Sequence, residues 1–313
     1  MAVLGVNITV LRQIWDDIAG ALTGNTSGGS ELQVALLARG FIKAGHEVVC
    51  IDVEITEDFI TSEGINVFSI KGWNSGIRVI RFFTHRLPQL YLLLKKQKAD
   101  IYYCRMRDFR NILAFWAARK TKSKFILAMV SDLDAMSFRM RLKYFYLPNR
   151  GGVLWLFSGM LNEIVHPWLL RKADSVFVQH EGQEQILLQK GIKSVLLPNL
   201  IDLTQIPVIS NPIHRDYVYV DWLDKRKGFV EFFELVKNAP FHTFKVIGPP
   251  RYKTGYLYFE KLKSFQNVSL LGELSHSDTL LNIANSKALI STSPMEGFPN
   301  IFIEAWATGI PVL

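Results

Sequence analysis

The residue types best suited to chemistry gather near the end of the chain, in Ser293-Pro294-Met295-Glu296-Gly297-Phe298-Pro299-Asn300-Ile301-Phe302-Ile303-Glu304. The apolar run 288–291 predicts a strand, Gly297 and Pro299 a turn, and 299–308 a helix with Pro299 at or near its first position and Gly309 just past its end. The first amides of a helix have no intrahelical acceptors and sit at the positive end of its dipole, so this turn is an anion site. Glu296 falls in the turn and Glu304 in the helix, about five residues inside, or roughly one and a half turns. Ionised carboxylates only accept hydrogen bonds, and sugar hydroxyls donate them. Two carboxylates beside an anion site therefore suit a phosphorylated ligand rich in hydroxyls. The same pattern also fits a plain helix start with solvated acids, and the segment alone leaves both readings open.

The elements that must position these groups follow from the alternation of apolar and amphipathic runs. Strands are predicted at 3–11, 47–53, 100–104, 124–130, 174–179 and 194–197. Residues 30–44 read as a helix with Ser30 as N-cap and Gln33 in a capping-box arrangement, ended by Gly45-His46. A second series begins after Leu200, with strands at 217–220, 243–247, 268–271 and 288–291 and helices at 229–237, 275–284 and 299–308. Between the two series, 206–216 carries Pro207 and Pro212 and reads as a hinge. Short apolar strands alternating with helices predict parallel sheets covered on both faces. The fold class is α/β, with two facing Rossmann-like domains at 1–203 and 204–313. Ligands of such sheets bind at the carboxyl ends of the strands. A last strand opens at 310, close to the end of the sequence, so the second domain is expected to be incomplete.

Composition narrows the partners. The 313 residues fit two domains of about 150 each. With 49% hydrophobic and 20% charged residues the chain is neither disordered nor fibrous. Cys50 and Cys104 are too few for a disulfide framework or a cysteine-rich zinc site. The start lacks the charged region of a signal peptide. The longest apolar span, 151–170, is broken by Asn162, Glu163 and His166, whereas a spanning helix needs about 20 apolar residues. A cytoplasmic protein is expected, with any membrane contact peripheral. The formal charge of +8 points to an anionic partner. Residues 71–150 hold 18 Lys and Arg against 4 Asp and Glu, and no acid occurs from 64 to 99. In 77–98, Arg78, Arg81, Arg86, Lys95, Lys96 and Lys98 mix with Phe82, Phe83, Leu87, Leu90, Tyr91, Leu92, Leu93 and Leu94, as in segments that lie on anionic membranes. The alternative is a buried helix whose basic residues face water, and Pro88 is expected to break or kink it. No zinc spacing, RNA-binding signature or helix-turn-helix pattern accompanies the charge, so nucleic acid is not expected.

Glu296 and Glu304, with Gly297-Phe298-Pro299-Asn300 between them and Ala305-Trp306-Ala307-Thr308-Gly309-Ile310-Pro311-Val312 after, resemble the E-x7-E signature of family 4 retaining glycosyltransferases of the GT-B fold. Gly28-Gly29-Ser30-Glu31, Ala44-Gly45-His46-Glu47-Val48, Ala173-Asp174-Ser175-Val176, Leu197-Pro198-Asn199-Leu200-Ile201-Asp202, Leu271-Gly272-Glu273-Leu274 and the stretch from Tyr219 to Gly228 resemble further family segments in the family's order. The resemblance covers nearly all the chain, and implies that a further C-terminal part of the family pattern lies beyond it.

The resemblance implies a transferase that moves a sugar from a nucleotide-sugar such as a UDP- or GDP-sugar to a glycan or lipid-linked acceptor, with retention. It implies no other cofactor, no bound metal, and a place in cell-surface polysaccharide synthesis. Glu304 would hold the ribose hydroxyls and Glu296 the donor sugar. The amides of Gly297, Phe298 and Asn300 would lie near the sugar and diphosphate, Lys227 would neutralise the departing diphosphate, and Gly28 and Gly29 would let the first loop approach the phosphates. Asp132-Leu133-Asp134 has a metal-binding spacing but is expected to line the acceptor side or cap a helix. The family has Gly-Arg where this chain has Asp221-Trp222, which removes a phosphate-binding charge; Arg226 is the candidate to supply it. Where the family often has a histidine after the strand at 124–130, this chain has Ser131-Asp132. Two rival readings are a weak or inactive nucleotide-sugar binding protein and a basic membrane-surface module.

Overall fold

The computed structural model describes residues 7–11, 18–23, 29–52, 55–77, 80–142, 153–209, 215–294 and 296–313; Gly28, Arg78 and Pro212 lie outside them. The chain packs as two compact units, Met1–Leu200 and Ile201–Leu313. The first is built on strands β1 (Asn7–Leu11), β2 (Glu47–Asp52), β3 (Phe59–Ile60), β4 (Asn66–Ser69), β5 (Ile101–Arg105), β6 (Lys124–Ala128), β7 (Ser175–Val178) and β8 (Val195–Leu196), in the order β3-β4-β2-β1-β5-β6-β7-β8. All pairings are parallel except β3 with β4. Both faces are covered, so β2 is buried along its length after Glu47. The helices are α1 (Ile18–Thr23), α2 (Gly29–Lys43), α3 (Leu87–Gln97), α4 (Asn111–Thr121), α5 (Asp132–Ala135), α6 (Phe138–Arg141), α7 (Val153–Lys172) and α8 (Glu181–Gln189).

The second unit has a parallel sheet of β9 (Tyr217–Val220), β10 (Phe244–Ile247), β11 (Val268–Gly272) and β12 (Ala288–Ile290), ordered β11-β10-β9-β12. Helices α9 (Phe229–Lys237), α10 (Tyr252–Leu262), α11 (His276–Ala284) and α12 (Asn300–Ala307) connect them. Phe229, Phe232, Phe233 and Val236 form the buried stripe of α9 and pack with Tyr219 and Phe244. The segment expected as a strand from 310 joins the far side of β12 through a bridge between Leu289 and Val312. In both units the chain order reverses direction across one strand, β1 in the first and β9 in the second. Such a reversal opens a crevice at the carboxyl ends of the strands, because the loops on either side leave in opposite directions.

Two local readings are corrected. Ser30 is not the N-cap: α2 already includes it from Gly29, and Gln33 donates to Leu200 O at 2.7 Å and accepts from Leu200 N at 2.6 Å. Gln33 is buried and ties α2 to the end of the unit. Pro88 does not break its segment, although the α-helical pattern is interrupted just before it. A π-helical turn, Phe82–Arg86, precedes α3, and Leu87 N–H reaches back to Phe82 O across five residues. The wider turn places the proline in the first turn of α3, where its missing N–H costs little. Part of the apolar face of 77–98 turns inward: Leu90 and Leu94 are buried, with Leu87, Tyr91 and Leu93 packed beside them, while Ile77, Ile80, Phe83 and Leu92 are exposed together with Lys95, Lys96 and Lys98.

Part of the positive charge of 71–150 is internal. Arg141 donates to Glu163 from Nε at 2.9 Å, Arg107 also pairs with Glu163, and Arg110 pairs with Asp108. Beside them His166 is buried; burial and the two nearby arginines push its pKa down to about 3 from 6.5. No helix among the described residues is long and apolar enough to cross a membrane.

His166 yields a stability prediction. Its folded pKa lies below the unfolded value, so the unfolded chain binds the extra proton. The stabilisation is present above pH 6.5 and is lost as pH falls towards about 3. Urea unfolding of the parent should weaken by up to about 1.4 kcal/mol per pH unit in that window, and His166→Phe should remove part of the slope. Identical slopes for the two proteins would rule the buried imidazole out as the cause.

Candidate functional site

The crevice of the second unit lies where β9 and β12 diverge, and each lends one loop. The loop after β9 starts with Asp221, makes a single 3-10 turn at Lys225–Lys227 and enters α9. Asp224 sets this turn: it is buried at the N-cap, and its Oδ1 accepts from Arg226 N at 2.6 Å. The loop after β12 runs through Thr292 and Glu296 to Pro299, which precedes α12 with no side chain capping that end. Gly228 joins the two loops. It has φ +71, and a Cβ there would lie 1.8 Å from Thr292 O, so only glycine permits the approach. Thr292 Oγ1 donates to Gly228 O at 2.7 Å and Tyr219 OH donates to Lys227 O at 2.8 Å.

The result is a lysine between two acids. Lys227 Nζ donates to Glu296 Oε1 at 2.6 Å and lies 3.2 Å from Asp221 Oδ2. Burial alone would lower the Lys227 pKa, but Asp221 and Glu296 outweigh it and hold the ammonium above its ordinary value. Burial pushes Asp221 up to about 6, with Lys227 opposing and Glu296 adding to the rise. The sequence marks Asp221 only as a departure from the family pattern, not as a partner of Lys227. Asp221 stands just past a strand end, and only the parallel register shows that this end meets Glu296.

Glu304 lies on α12 and is 6% exposed, so its carboxylate needs a partner. His276, the first residue of α11, donates from Nε2 to Glu304 Oε1 at 2.8 Å. Glu304 raises the His276 pKa through this hydrogen bond, against desolvation. The two residues are 28 positions apart, and no local pattern links them. They meet because α11 and α12 flank β12. Ser275, expected to open this helix, is its N-cap and accepts from Asp278 N at 3.1 Å.

Gly297 and Phe298 lie in the turn before α12, with the Phe298 ring 6.2 Å from Trp306, and Asn300 is the first residue of the helix. Arg226 faces Asp224, with Nη2 to Oδ2 at 2.9 Å, and its guanidinium lies 4.9 Å over Tyr252. Gly29 is the first residue of α2 and belongs to the other unit. There, Asp132 and Asp134 diverge. Asp132 Oδ1 meets His180 Nε2 at 2.8 Å, while Asp134 accepts from Val130 N at 2.9 Å and closes a capping box with Ser131. Among the described residues no group of three or more His, Cys, Asp and Glu side chains could hold a metal ion.

Comparison with known proteins gives the site a setting. The model of Glycosyltransferase Family 4 matches residues 27–205, more than half of the chain. Among curated proteins none matches in sequence. Solved structures similar to this chain include sucrose-phosphate synthase from Thermosynechococcus elongatus, with 16% identity, a TM-score of 0.73, and coverage of 98% of this chain and 80% of that one. Anabaena HepE, in complex with UDP and glucose, is 16% identical with a TM-score of 0.65 and the same coverage. The lipopolysaccharide outer core galactosyltransferase WaaB is 17% identical with a TM-score of 0.58, over 98% of this chain and 79% of that one. At such identities the likeness shows the fold.

The His276–Glu304 pair is open to direct measurement. By NMR, the His276 ring should titrate above 6.5 in the parent and return towards it in Glu304→Gln. A titration that ignores the substitution would mean that the pair does not form.

Proposed function

The chain belongs to glycosyltransferase family 4, and we propose that it transfers a sugar, with retention, from a nucleotide-sugar to a glycan or lipid-linked acceptor. The fold is that of GT-B glycosyltransferases. The observation that carries the reading is the meeting of Lys227 with Glu296 beyond the carboxyl ends of β9 and β12, the switch point of the second sheet, with Glu304 held by His276 on the helix that follows. Similarity to a protein crystallised with UDP and with UDP-glucose supports the donor class.

Each group has work of its own. Glu304, steadied by His276, accepts hydrogen bonds from the ribose hydroxyls. Lys227 faces the diphosphate, and when a ligand enters, phosphate oxygens compete with Asp221 and Glu296 for its three N–H donors. Glu296, released from that ion pair, accepts from a hydroxyl of the donor sugar. As the bond to the anomeric carbon breaks, negative charge grows on the leaving phosphate. Lys227 and the amides of Gly297, Phe298 and Asn300 stabilise that charge without a metal ion. The acceptor hydroxyl attacks from the face the phosphate leaves, and its proton passes to the departing phosphate oxygen. The setting we propose is the cytoplasmic face of a membrane, in cell-surface polysaccharide synthesis. Contact there would be peripheral, through the exposed Lys95, Lys96 and Lys98 at the end of α3.

The test is release of nucleoside diphosphate from a panel of UDP-, GDP- and ADP-sugars with candidate acceptors. Glu304→Ala should weaken nucleotide binding about tenfold or more, and Lys227→Ala should lower turnover by about a hundredfold. If Glu304→Ala leaves both affinity and turnover unchanged, the site assignment fails. Binding without turnover across the whole panel would favour a nucleotide-sugar binding protein instead.

A further inference from the structure

The cations near this crevice differ in what already holds them. Lys227 lies between two carboxylates, and Arg226 is tied to Asp224. Three acids thus face two cations, a poor receptor for a ligand that itself carries at least two negative charges. Arg251 is different. Its guanidinium lies against the ring of Trp222, and among the described residues no carboxylate forms an ion pair with it.

The backbone around Arg251 is built to hold it there. Leu223 N donates to Pro249 O and Arg251 N to Leu223 O, both at 3.1 Å, and Leu223 pairs with Pro250 as a parallel bridge. Gly255 lets α10 close on this clasp, since a Cβ at 255 would lie 1.9 Å from Leu223 O. Gly248 does the same at the start of the loop, where a Cβ would lie 2.0 Å from Asp221 O. Tyr252 follows with φ +55, a conformation that bulky side chains rarely adopt. That turn sets the Tyr252 ring beneath Arg226 while Arg251 points to Trp222. Two aromatic rings from neighbouring loops thus carry two guanidiniums, one already neutralised and one not.

We propose that Arg251, seated over the Trp222 ring, is the arginine that binds the diphosphate of the donor nucleotide. The proposal rests on the donor-site reading above. Trp222 supplies no charge, but its ring face attracts a guanidinium without using up the N–H donors of that group. Two parallel N–H donors from it match two phosphate oxygens. The ring contact also fixes the side chain before the ligand arrives, which reduces the entropy lost on binding. The loop after β10 thereby delivers the charge that the loop after β9 does not retain.

The experiment is calorimetry with UDP, GDP and ADP, and then, for whichever diphosphate the parent binds, with the matching nucleoside. Arg251→Ala should weaken diphosphate binding about ten- to a hundredfold and leave nucleoside binding unchanged. Arg251→Lys, which keeps charge but not the flat fork, should fall between. Placing Trp222→Arg in the Arg251→Ala background should recover at least part of the lost affinity, since an arginine then rises from the platform itself. Thermal unfolding of each variant checks that the fold survives, and Arg251→Lys stands in if the alanine variant does not fold. Diphosphate binding by Arg251→Ala equal to the parent's overturns the proposal, as does an equal loss for the nucleoside, which would assign the arginine to the base. If the parent binds none of the three diphosphates, the donor-site reading itself falls.

Discussion

One ammonium group held between two carboxylates organises the second unit's crevice. Lys227 reaches Asp221 and Glu296 only because β9 and β12 run parallel and side by side, so that their carboxyl ends open into adjacent loops. The demand is steric as much as electrostatic. Gly228 admits the Thr292 carbonyl, Gly248 the Asp221 carbonyl and Gly255 the Leu223 carbonyl, each at a distance no Cβ would allow. Three glycines in separate elements thus serve a single purpose: they let backbone meet backbone around the site. The aromatic core of α9 beneath it, with Phe229 and Phe232 fully buried, fixes the floor on which the lysine loop rests.

The two units use charge in opposite ways. In the second, ionisable groups stand at the crevice, half-buried and paired with one another, ready for a ligand to exchange partners with them. In the first, several arginines are paired inside. Arg107 and Arg141 converge on Glu163, Arg110 closes on Asp108, and His166 stays neutral beside them. Breaking such a cluster by removing one member leaves a buried charge without compensation, which is far more costly than losing a surface ion pair. The basic face visible to a partner is therefore smaller than the composition suggests. It is carried by residues such as Lys95, Lys96 and Lys98 at the end of α3.

What the residues determine by themselves is local and periodic. The strand Tyr217–Val220 and the helix Phe229–Lys237 are legible from β-branched and aromatic runs and from a 3.6-residue apolar stripe. The turn that opens α12 is legible from Gly297 and Pro299, and the segment around Glu296 and Glu304 carries the resemblance to the family. Tertiary structure alone decided which distant groups meet. His276 reaches Glu304 across 28 residues, Gln33 reaches Leu200 across 167, and Glu163 neutralises arginines that a linear count leaves unpaired. It also decided that Arg226 turns to Asp224 and that Arg251, from another loop, lies on Trp222. The physical reason is range. Backbone propensity and hydrophobic period act within a turn or a strand. The partner of a charged side chain is set by sheet order, which brings together residues that no local window contains.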